Sequence, residues 1–138
     1  MQTRRVVVTG IGALTPIGNT KEAYWNGLLQ GVSGAGNITL FDASKFKTRF
    51  ACEVKGFDAP AVLGTKESRR MDRFCQFAVA STDEALRHSR LQITEENRDR
   101  IGVLVGTGIG GIGTIIEQYE VMKTKGVDRV SPFLVPMM

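Results

Sequence analysis

The stretch Arg100 to Gly113, RIGVLVGTGIGGIG, constrains this chain more than any other. Ile101, Val103, Leu104 and Val105 form a short apolar run rich in branched side chains, which predicts a strand buried on both faces. Gly106, Gly108, Gly110, Gly111 and Gly113 follow, so the backbone there must turn sharply, approach another surface closely, or do both. Thr114 to Lys125 then predicts a helix. A strand, a glycine loop and a helix in that order form the place where α/β proteins commonly bind ligands. The expected fold class is therefore α/β.

A chain of 138 residues, 42% of them hydrophobic, is long enough for one core, since a domain of that size buries roughly 70% of its unfolded surface. The net charge of +4 comes from 18 basic and 14 acidic residues that are interleaved. Such a balance gives neither a nucleic-acid-binding tail nor a polybasic membrane anchor. No apolar stretch approaches the roughly 20 residues that span a bilayer, and MQTRRVVV is not a signal peptide, so the expected location is the cytoplasm. Two cysteines make neither a disulfide framework nor a metal quartet, and no metal site is expected. Val130 to Met138, VSPFLVPMM, is uncharged, unlike the usual polar end of a domain. It suggests the front part of something longer.

Val6 to Val8 predict a second buried strand, ending on Thr9 and Gly10. The following Gly10 to Gly18 misses the dinucleotide pattern because Thr15 stands where a third glycine is needed. Asn19 or Thr20 can cap a helix running through Gln30, with Ala23, Trp25, Leu28 and Leu29 as its buried stripe and Gly31 as its stop. Val32 to Phe46 is loop-like, and Phe50 to Val54 is a candidate strand holding Cys52 as a small buried hydrophobe.

Asp58 and Pro60 open a short helical turn, and Thr65 is the expected cap of another. Asp72 is the expected cap of a long helix reaching about Ser89, with Phe74, Phe77, Ala78, Ala85 and Leu86 inward and Cys75 beside that stripe. His88, the single histidine, falls in the last turn, where a cation complements the helix dipole. Lys66, Arg69, Arg70 and Arg73 make the densest basic cluster, against Glu67 and Asp72. Read from the residues alone it is a solvated helix face or a dock for an acidic partner.

The glycine loop satisfies G-x-G-x-x-G twice, but the segment after the helix does not complete a dinucleotide site. Asp128 precedes the next apolar residues, and Pro132 and Pro136 exclude a central strand. A small dinucleotide-binding module is thus a minor reading.

Five stretches in order, RRVVVTGIGALTPIGN (4–19), KESRRMD (66–72), ITEEN (93–97), RIGVLVGTGIGG (100–111) and SPFLVPMM (131–138), resemble the amino-terminal part of the β-ketoacyl-acyl carrier protein synthases, most closely the elongating enzymes of bacterial fatty-acid synthesis. The resemblance implies a thiolase-like layered α/β/α/β/α fold, of which residues 1–138 are an N-terminal part stopping before the nucleophile, and a homodimer. It implies a decarboxylative Claisen condensation that needs no cofactor. A cysteine accepts the acyl chain as a thioester, malonyl-carrier protein loses CO2 and attacks it, and two histidines stabilise the developing charge.

Cys52, Cys75 and His88 match none of those catalytic positions, so no catalytic residue is expected in this chain. The resemblance instead implies binding roles. Ile109 matches an isoleucine that reaches across the dimer interface to the neighbour's acyl pocket. Phe133 and Leu134 match a pair beside that pocket, Leu134 standing where an aromatic residue is common. Lys66, Arg69 and Arg70, extended by Arg129, fall where the family presents a basic face to the acidic acyl carrier protein, although Asp128 stands where a base is often found. Two other readings share these features: a polyketide ketosynthase, or a non-catalytic chain-length-factor subunit.

Overall fold

The computed structural model describes residues 3–138. The chain divides into two compact units, one formed by the segment up to Phe57 with Ser81–Leu91, the other by Asp58–Ala80 with Gln92–Met138.

In the first unit, helix α1 (Lys21–Leu29) starts where the threonine cap predicts. Thr20 is extended and its hydroxyl accepts a hydrogen bond from the Ala23 N–H at 3.1 Å. Gly31, at φ 65°, ends it. The expected stripe is not buried, however. Trp25, Leu28 and Leu29 are exposed, and only Gly27 is covered, against Ile17.

Strands β1 (Gly36–Asn37) and β2 (Phe50–Ala51) pair antiparallel, Gly36 opposite Ala51 and Asn37 opposite Phe50. The strand expected over Phe50 to Val54 therefore stops after two residues. Glu53 turns its carboxylate to the Thr39 hydroxyl at 2.6 Å and to the Thr39 and Leu40 N–H groups at 2.9 and 3.3 Å. The Thr39 bonds, led by the hydroxyl, hold its pKa below the ordinary glutamate value. Cys52 is exposed, contrary to the buried position expected of it, because two paired residues build no sheet to bury it.

The second unit begins with α2 (Ala59–Leu63), whose Ala61 N–H donates to the Asp58 side chain at 3.0 Å. In α3 (Thr65–Ser68) the cap position belongs to Gly64, at φ 86°, so Thr65 is the first helical residue rather than the cap. Helix α4 (Arg73–Ser89) has the expected length and lies partly in each unit. Its apolar stripe is half-buried throughout. Helix α5 (Ile112–Lys125) starts two residues earlier than the sequence predicts, on Gly111 at φ 83°. After a 3-10 turn at Val127–Arg129 comes the short helix α6 (Leu134–Met137). The two prolines exclude a strand here, as expected.

The two buried strands are the main departure. Residues 3–14 and 101–107 form no ladder, Val6 is 91% exposed and Leu104 99%. The buried apolar residues among those described are Ala43 and Ala59, so the expected core is not formed by these residues alone. A strand covered on both faces takes its ladder bonds and its cover from neighbouring elements. No described segment supplies them to either run. The runs have the composition of interior strands without the partners.

Candidate functional site

The residues with expected binding roles lie in the second unit, where Asp72 joins three of its helices. This residue caps α4: its carboxylate accepts from the Phe74 N–H at 3.3 Å, and its carbonyl accepts from the Gln76 N–H at 3.0 Å. The carboxylate also accepts from the Thr114 hydroxyl in the first turn of α5. Its own N–H donates to the Met137 carbonyl of α6 at 2.9 Å. One residue thus ties three helix ends together. The sequence reveals the cap, because an acid before an amphipathic run is a local signal. It holds no signal for Thr114 or Met137, which lie far along the chain.

The glycine loop is fixed against the same junction. The Gly110 N–H donates to the Thr107 hydroxyl at 3.0 Å, and a Cβ on Gly110 would stand 2.6 Å from the Phe74 ring. A Cβ on Gly111 would meet the Met138 side chain at 2.9 Å, in a backbone conformation that already favours glycine. Gly106, Gly108 and Gly113 border open space. The loop therefore contains two close-approach glycines followed by a helix, and carries Ile109 outward, 74% exposed, next to its anchored end. Among the described residues the chain after α5 forms a 3-10 turn and a helix, and no second parallel strand of a dinucleotide fold.

Phe133 and Leu134 lie at the start of α6, where the Ser131 carbonyl accepts from the Leu134 N–H at 3.0 Å and Gln118 of α5 accepts from the Ser131 N–H at 2.7 Å. The Arg70 guanidinium lies over the Phe133 ring, 5.1 Å from its centre, within cation–π range. Arg73 lies over Phe77 at 4.7 Å. Lys66, Arg69 and Arg70 are exposed and form no ion pair among the described residues. With the Asp72 carboxylate engaged by Thr114 and Phe74, the cluster presents its charge outward. Arg129 is exposed in the 3-10 turn.

The candidate nucleophiles and acid–base groups are not arranged for chemistry. Burial, with the Asp72 charge second, pushes the Cys75 pKa up, so it stays a thiol and donates to the Met137 carbonyl at 3.5 Å. In the first unit, His88 accepts the Ile11 N–H on Nδ1 at 3.0 Å. No cluster able to hold a metal ion exists among the described residues, nor any helix long and apolar enough to cross a membrane.

The family model described as the β-ketoacyl synthase N-terminal domain matches residues 3–138. The chain belongs to the β-ketoacyl synthase family. It is 53% identical over all 138 residues to a Synechocystis protein named 3-oxoacyl-(acyl-carrier-protein) synthase 2, of which it covers 33%. A β-ketoacyl synthase structure from Burkholderia phymatum matches 99% of the chain with a TM-score of 0.74 at 28% identity, and 34% of that structure is covered. A type II PKS ketosynthase, solved with its acyl-carrier protein and bound to the hexaketide, matches 93% of the chain at 26% identity with a TM-score of 0.70, with 33% of that chain covered. The fold is thus the N-terminal part of the thiolase-like α/β arrangement, and the chain spans about a third of the length of the relatives it matches. As a β-ketoacyl synthase segment it holds the helix ends around Asp72, the glycine loop and the basic face.

Sequence reasoning missed Glu84. Its carboxylate accepts from the Ala13 N–H at 2.8 Å and from the Lys21 N–H at 2.9 Å, fastening the Gly10 to Gly18 loop and the start of α1 to α4 within the first unit. In that loop, Cβ atoms on Gly10 and Gly12 would stand 2.2 and 1.9 Å from the Ala85 and Ser81 carbonyl oxygens. The near-miss glycine pattern therefore serves helix contact, not phosphate.

Proposed function

We propose that this chain is the N-terminal part of a 3-oxoacyl-(acyl-carrier-protein) synthase 2, which lengthens acyl chains in fatty-acid synthesis by decarboxylative Claisen condensation. The observation that carries this reading is the 53% identity along the whole chain to a relative of that name. In this reaction a cysteine thiolate attacks the acyl thioester and releases the carrier thiol. Malonyl-carrier protein then loses CO2, and the resulting enolate carbon attacks the acyl-enzyme, expelling the cysteine and leaving a 3-oxoacyl chain two carbons longer. In this reading the nucleophile and the two histidines lie in the rest of the protein, since neither Cys52 nor Cys75 matches a catalytic position of the family and His88 is the single histidine here.

In this reading the segment supplies binding. Lys66, Arg69 and Arg70, extended by Arg129, receive the acidic carrier protein. Ile109 closes the partner's acyl pocket in a cytoplasmic homodimer, and Phe133 with Leu134 lines the acyl site. The exposure of the basic face and of Ile109 supports this assignment.

The full-length protein, given acyl- and malonyl-carrier protein, is expected to yield 3-oxoacyl-carrier protein and CO2 in equal amounts, while residues 1–138 alone yield neither. Product from residues 1–138 alone, or none from the full-length protein, overturns the reading.

A further inference from the structure

Arg70 stands at the meeting point of the basic face and the acyl-site residues. Its guanidinium lies over the Phe133 ring, and its side-chain N–H groups make no hydrogen bond among the described residues. An arginine held through its flat face keeps its edge donors free, and those donors can grip a carboxylate or phosphate in a bidentate manner. A free arginine loses considerable rotamer freedom when it docks a partner, and one already held in place loses less. The backbone that carries the ring is itself tied down. Phe133 precedes α6, whose Met137 carbonyl accepts the Asp72 N–H two residues beyond Arg70.

We infer that Phe133 is a positioning residue for the carrier protein: by holding Arg70 with its donors outward, it raises affinity for an acidic partner it does not touch. The inference rests on the carrier-docking reading above and extends it, because it gives one residue of the acyl site a second task. It links occupancy of the docking face to the wall of the acyl site through a single side-chain contact. Among the described residues Lys66 and Arg69 make no cation–π contact, so they serve docking through charge alone.

The test is a double-mutant cycle in the full-length protein, reading the dissociation constant for its acyl carrier protein by titration at low salt. Phe133→Leu is expected to weaken binding about two- to fivefold, the range a cation–π contact of this kind supports. In an Arg70→Met background the same change is expected to have no effect, and Phe133→Tyr is expected to restore wild-type affinity. A Phe133→Leu effect that persists without Arg70, a leucine variant that binds like wild type, or a tyrosine variant no better than leucine would overturn the inference. If Phe133→Leu does not fold, the tyrosine and tryptophan variants, with and without Arg70, complete the cycle. Loss of all saturable carrier binding in the wild-type protein would instead refute the docking reading on which the inference rests.

Discussion

Glu84 is the residue whose loss should cost the first unit most. Its half-buried carboxylate satisfies two backbone N–H groups on different segments. Glu84→Gln leaves one acceptor oxygen for two donors, a loss of about 1–3 kcal/mol locally. The expected result is faster hydrogen exchange at the Ala13 or Lys21 amide, by tenfold or more, with exchange in α5 unchanged. Glu53 contributes to the pH dependence, as do Glu22 and Asp42, whose pKa values are also lowered by hydrogen bonds. Its folded pKa is depressed, so its contribution is present above the unfolded carboxylate pKa and is lost as pH falls through the folded one. A carboxyl-carbon titration should give Glu53 a midpoint below that of an unfolded peptide, and Thr39→Val should raise it. Neither acid is legible as a clamp in the sequence, because their donors, the N–H groups of Ala13, Lys21, Thr39 and Leu40 and the Thr39 hydroxyl, lie 13 to 71 residues away and nothing local marks them as partners. The Thr20 and Asp58 caps are legible because donor and acceptor lie three residues apart.

At the scale of elements, the sequence reveals the helices well and the strands poorly. A helix closes its own hydrogen bonds, so caps and period locate it: α1, α4 and α5 lie within a residue or two of their expected bounds. A strand closes its bonds on a neighbour, and composition announces the strand without naming the neighbour. Val6 to Val8 and Val103 to Val105 therefore have strand composition but lie exposed and unpaired. In residues 1–138 alone the amides of 102–105 should exchange without protection, and the chain should bind an apolar dye. In the full-length protein the same amides should be among the slowest. Equal protection of 102–105 in both would show that the segment closes its own sheet.

At the scale of the whole molecule, the family is legible from five short motifs in order, while the residues that join them across α4, α5 and α6 are not. This segment gives the synthase its carrier-binding face and none of its chemistry in the function proposed above. Reversing charge at two exposed bases that form no ion pair among the described residues removes complementarity to an acidic partner and leaves the Asp72 junction intact. The decisive quantity is the dissociation constant between the full-length protein and its acyl carrier protein with Lys66→Glu and Arg69→Glu together. A loss of about tenfold or more is expected at low salt, shrinking as salt rises and screens the wild-type attraction. An unchanged constant at low salt would refute the carrier-binding role of this face.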